Sequence, residues 1–128
     1  MLIKIPVSTG ELIDKITILE IKKIKVNDKL KLNDIKKEHK YLKSILLKKI
    51  KLDPYIKREI AALKKINLKL WDIEDGKRKA ERNKKFGKSF ILLAGNVYIY
   101  NDKRAMIKLN INRITNSAIV EVKSYDKY

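Results

Sequence analysis

No cysteine occurs among the 128 residues, and histidine occurs once, at His39. Disulfides and thiolate metal sites are thereby excluded, cysteine nucleophiles with them, and one imidazole cannot build a histidine cluster. Only two prolines and four glycines interrupt the chain, so long regular elements are expected. Acidic residues are scarce, 15 against 32 Lys and Arg, for a formal net charge of +17. No window approaches the roughly 18 uncharged apolar residues of a membrane span. The N-terminus lacks the basic segment and apolar run of a secretory leader, so the sequence reads as cytoplasmic.

What is present is 45% hydrophobic residues, enough for one continuous core, and a single domain over residues 1–128 is the expectation. The positive charge is uneven. Residues 22–69 hold 16 Lys and 1 Arg against 5 acids, a net of +12. Such a segment fits nucleic acid, but it is lysine with few aromatics or arginines interleaved, the weaker form of that signal. The chain also has 27 Lys and 20 Ile with many Asn, all read from AT-rich codons, so base composition accounts for part of the excess. A solvated surface and an electrostatic binding face both remain open for residues 22–69.

Hydrophobic spacing and capping residues mark four helices. Alternation around Ile3, Ile5 and Val7 reads as a short strand. Ser8 and Glu11 then have capping-box spacing, opening a first helix to about Val26. After a turn at "VNDKL", a second runs from about Lys29 to Ile50. Asp53 followed by Pro54 starts a third, to about Asn83, because proline at the first helical position forfeits no hydrogen bond. The fourth runs from about Lys88 to Ile114, and "AIVEVKS" reads as a second strand. Short connections favour antiparallel neighbours, so the expected fold is mainly α, an antiparallel four-helix bundle closed by a two-stranded β-ribbon of the terminal segments.

Within that frame the inward stripes turn polar. On the third helix Ile56, Ile60 and Leu63 are followed at helical spacing by Asn67, Leu70, Glu74 and Arg78. On the fourth, Phe90, Ala94 and Val97 give way to Asn101, Arg104 and Lys108. Glu20 falls inside the apolar arc of the first helix, where a carboxylate must be paired or near water. The spacing predicts an interior site of Glu20, Asn67, Trp71, Glu74, Arg78, Asn101, Arg104 and Lys108, with Trp71 as a flat wall and the cations facing an anionic group. Asp72 falls off this face and reads as solvated. A buried network that only fixes helix register uses the same residue types. Glu11 with Asp14, and Asp72 with Asp75, have the i,i+3 spacing that holds Mg²⁺ in all-helical nucleotide pyrophosphohydrolases, but chance supplies it often, and no metal or cofactor is assigned.

The stretches "PVSTGELIDKITILEIK" (6–22), "LWDIED" (70–75), "VYIYNDKRAMIK" (97–108) and "VEVKSY" (120–125) together resemble a bacterial and bacteriophage family that has no assigned activity. The resemblance spans nearly the whole chain except residues 25–65. Carried over residue by residue, the family's polar positions fall on Glu11, Asp14, Lys15, Glu20, Trp71, Glu74, Asp75, Arg78, Asn101, Asp102, Arg104, Lys123 and Tyr125. The chain departs at Gly95 and Asn96, where the family pattern has an arginine and a small hydroxyl residue. The resemblance implies an accessory role linked to surface-polysaccharide synthesis. The leading expectation is a protein binding a small anionic or sugar-containing ligand. Nucleic-acid binding through the lysine-rich second helix, and a purely structural bundle that engages a partner protein, are the rivals.

Overall fold

Ser8 begins the first helix as its spacing with Glu11 predicts: its Oγ accepts the Glu11 N–H at 3.1 Å. The computed structural model describes residues 1–124. It contains helices α1 (Thr9–Lys25), α2 (Lys29–Lys49), α3 (Pro54–Arg82) and α4 (Lys88–Ile114). Asp28 and Asp53 cap α2 and α3 by accepting the N–H groups of Lys31 and Ile56. The carboxylate of Glu11 does not close the capping box. It meets Lys108 Nζ at 2.7 Å instead, a charge-assisted bond that outcompetes a neutral amide.

The helices pack around α1, which lies against all three others, whereas the α2 backbone lies against α1 alone. Ile13 and Ile16 of α1 form the core with Leu46, Leu63 and Ile111. Helices α3 and α4 run as a longer antiparallel pair. Lys25, the last residue of α1, reaches Asp72, and beyond that level Gly76 of α3 packs directly on Leu93 of α4. The last turns of α3 and the first turns of α4 therefore project as a hairpin past the end of α1.

The terminal β-ribbon is not formed: the described residues contain no strand, and Ile3, Ile5, Val7, Val120 and Val122 are all exposed. Its place is taken by side-chain ties. Ser117 Oγ accepts the Thr9 N–H at 3.1 Å and donates to the Ile119 carbonyl, and Glu121 is held by Lys108 at 3.0 Å. These bonds draw the C-terminal segment across α4 toward the start of α1. An isolated two-stranded ribbon is marginal in water, so three specific polar ties suffice to displace it. Among the described residues no helix is long and apolar enough to cross a membrane.

Candidate functional site

The site starts from a close approach. A Cβ on Gly10 would stand 2.6 Å from the Lys108 carbonyl oxygen, so only glycine lets the first turn of α1 lie on the α4 backbone. The Gly10 N–H donates to Asn112 Oδ1 at 2.7 Å, and Thr9 is met by Ser117. Amides that a helix start leaves unpaired are thus satisfied by α4 and the segment after it. The approach also fixes what lies one turn further along each helix.

There Asp14, 1% exposed, takes a two-pronged contact from Arg104 of α4, Nε to Oδ1 at 2.9 Å and Nη2 to Oδ2. Asn67 of α3 donates to the same Oδ1 and to Thr17 Oγ1, each at 2.9 Å, and the Thr17 hydroxyl donates to the Asp14 carbonyl. Three helices share one buried polar knot with every buried side-chain polar atom satisfied among the described residues. Arg104, hydrogen-bonded and electrostatically tied to Asp14, has its pKa raised against the opposing effect of burial. Its side chain is 29% exposed, and among the described residues no acceptor meets its Nη1.

Lys108 continues the arrangement toward the surface, bound to Glu11 at 2.7 Å and Glu121 at 3.0 Å and lying 3.9 Å from Asp14. Burial is the largest single influence on it and lowers its pKa, but the two carboxylate bonds and the Asp14 charge together raise it. Glu121 also binds Lys123 at 2.6 Å, and the two lysines hold its pKa down at about 2.

Above this row lies a cleft of about 580 Å³, lined by Glu11, Val97, Tyr98, Asn101, Asp102, Arg104, Ala105, Lys108, Glu121 and Lys123. Its lining has three carboxylates and three cations, and Asp14 adds one negative charge beneath. A mixed-sign cleft with exposed aromatic and amide edges suits neutral hydroxyls and at most a single anionic group.

Of the eight residues expected at one interior site, the structure brings Asn101, Arg104 and Lys108 to the cleft and Asn67 to the knot below it. The others lie elsewhere. Glu20 pairs with His39 of α2 at 3.0 Å and Lys64 of α3 at 3.3 Å, not with Arg104. Burial pushes its pKa up most strongly, yet His39, Lys64 and Lys43 together hold it below the usual carboxylate value. Because the Lys23 ammonium can only donate, its 3.5 Å contact with His39 Nδ1 makes that nitrogen the acceptor and leaves Nε2–H to donate to Glu20. Glu74 is exposed and bound to Lys77, Arg78 is exposed, and Trp71 is half-buried away from the cleft lining. Asp72 is solvated and pairs with Lys25, in line with its position off the stripe. The positive charge beside Glu11 and Asp14 comes from Lys108 and Arg104, and among the described residues no three His, Asp or Glu side chains gather as a metal site.

Periodicity overlooked Asp14 as the anchor. The signal lay in Gly10, Asp14, Thr17 and Ile21, all buried and spaced four, three and four residues apart on α1. This is a second inward face beside the apolar stripe, small or polar until it reaches Ile21.

The model of a family of unknown function, DUF6165, matches residues 3–128. The chain belongs to that family. No curated protein and no solved structure matches it. Of the polar positions that the motif resemblance marked in this DUF6165 chain, Glu11, Asn101, Asp102, Arg104 and Lys123 line the cleft and Asp14 anchors it. Lys15, Asp75 and Arg78 are exposed, and Tyr125 lies outside the described residues.

Proposed function

We propose that this DUF6165 protein binds a small sugar-containing ligand in the cleft between the start of α1, the second half of α4 and the C-terminal segment. The observation that carries the reading is the state of Arg104. Its guanidinium is fixed from behind by the buried Asp14 carboxylate, which Asn67 holds in turn, while its outer edge remains at the cleft. A donor held in place before the ligand arrives binds without a large ordering cost. The balanced charge of the lining disfavours a polyphosphate, whose charge would meet Glu11, Asp102 and Glu121. A carboxylate-bearing or neutral sugar has hydroxyls for Asn101 and Asp102. In this reading the protein acts in the cytoplasm as an accessory to surface-polysaccharide synthesis, the role that the motif resemblance implies. Catalysis is not assigned.

A thermal-shift screen of neutral hexoses, hexuronic acids, sugar nucleotides and inorganic polyphosphate tests this. Stabilisation by uronic or neutral sugars that is lost in Arg104→Lys supports it, since lysine cannot present the same planar fork. Stabilisation by polyphosphate alone would contradict it. Nucleic-acid binding on α2 ranks second: Lys29, Lys36, Lys40 and Lys48 are exposed there, with one exposed tyrosine, Tyr41, among them.

A further inference from the structure

The projecting end of the α3–α4 hairpin carries exposed apolar side chains and a high density of cations. Between residues 77 and 88 stand Lys77, Arg78, Lys79, Arg82, Lys84, Lys85 and Lys88, seven cations against the single acid Glu81. Phe86, Ile91 and Leu92 are 54%, 66% and 66% exposed. Leu93 faces α3 through Gly76, which at 100° per residue turns Leu92 roughly 100° and Ile91 roughly 160° away from the hairpin's own interface. Helix α1 ends below this level and does not reach them, and Phe86, which meets the Phe90 ring edge-on at 5.2 Å, stays more than half exposed.

The turn itself keeps its charge at a conformational cost. The end of α3 closes with Lys85 N–H on the Ala80 carbonyl at 2.8 Å and Lys84 N–H on the Glu81 carbonyl at 3.0 Å. This closure puts Lys84 in the left-handed region, φ 52°, where glycine would sit without strain. Helix α4 then begins at Gly87 with no side-chain cap and no acid in its first turn, so the positive ends of its peptide dipoles add to the field of the lysines.

We infer that this tip is a docking surface for an anionic lipid bilayer, with Phe86, Ile91 and Leu92 entering the headgroup region and the surrounding cations meeting lipid phosphates. Charge complementarity selects an anionic partner, and the aliphatic pair separates a bilayer from nucleic acid. Ile91 and Leu92 have no π-face to stack on bases, whereas insertion into the headgroup–acyl boundary removes their area from water. The contact is interfacial, since among the described residues no helix is long and apolar enough to span a membrane.

Vesicle flotation of the full chain tests the assignment, using phosphatidylcholine alone and phosphatidylcholine with one third phosphatidylglycerol. Binding to the anionic vesicles only is expected. The triple variant Lys84→Gln, Lys85→Gln, Lys88→Gln should weaken partitioning by about a hundredfold, at about fivefold per cation. The separate variant Ile91→Ser with Leu92→Ser should weaken it at least tenfold at unchanged net charge. Both sets are exposed, and an unaltered melting temperature confirms that each variant is folded. Equal binding to neutral vesicles, no binding to either, or full binding by the serine variant would each overturn the inference. So would retention of RNA through the same lysines without vesicle binding, or a dimer in solution that the serine variant dissolves.

Discussion

Asp14 is the residue on which the site depends, because a carboxylate 1% exposed is tolerable only while its charge is met. Arg104→Met removes the main partner and leaves Asn67 and a lysine 3.9 Å away. Breaking a buried pair from one side costs about 3–5 kcal/mol, and denaturant unfolding should show a loss of about 3 kcal/mol. Adding Asp14→Asn should return part of that loss, since the uncompensated charge goes with it. A loss under about 1 kcal/mol would place the pair among ordinary surface contacts. Gly10→Ala makes the opposite kind of error. The added methyl has a backbone carbonyl 2.6 Å away, which cannot rotate aside as a side chain can. Helix propensity favours alanine by about 1 kcal/mol. Forced separation of α1 from α4 should outweigh that and give a net destabilisation of about 1–2 kcal/mol. A more stable Gly10→Ala protein would mean that the two helices part freely.

At the scale of the element, helix ends were legible and helix faces only partly. Caps act within four residues, so Ser8, Asp53 and Pro54 placed the starts of α1 and α3 within a residue or two, and the turn at "VNDKL" did so for α2. Faces depend on what an element meets. A single stripe was sought on α1, but a helix with three neighbours buries two, and Asp14 belongs to the second. On α3 the stripe through Ile56, Leu63 and Asn67 shifts to Ile73 and Gly76 once α1 has ended, leaving Glu74 in water. Spacing along one helix also says nothing of its level against the next. Asn67, thirteen residues into α3, meets Asp14, five residues into α1, so the two starts are offset by about 12 Å. The C-terminal segment was misread because alternation signals a strand, whereas Glu121 found two lysines. That attachment has a pH signature. With a folded pKa of about 2, below its unfolded value, Glu121 contributes stability above about pH 4.3 that is lost as pH falls toward 2. Because the carboxylate is partly exposed, the contribution should be under about 1 kcal/mol. Chemical shifts of residues 119–123 should move together over that acid range, and Glu121→Gln should remove the transition. Shifts that stay constant from pH 5 to 2 would contradict the ion-pair tether.

Across the whole molecule, the charge is segregated by role. The lysines of α2 sit on a helix whose backbone touches only α1, the cations of the hairpin tip share it with exposed apolar side chains, and those of the cleft are matched by carboxylates. Changing Lys29, Lys36, Lys40 and Lys48 together to Gln should therefore shift the melting temperature by under about 3 °C, since exposed charges contribute little. Lys43 is omitted because it acts on Glu20. A large shift would show that α2 lysines take part in the fold. The central claim, that the Asp14–Arg104 knot presents a ligand cleft, is tested most directly by amide chemical-shift mapping during titration with a hexuronic acid, for the native protein and for Arg104→Lys. The account predicts saturable shifts confined to the start of α1 around Glu11 and to residues 97–108 and 119–123 in the native protein, and their loss in the variant. Shifts confined to α2 or to the hairpin tip, or identical titrations for both proteins, would contradict it.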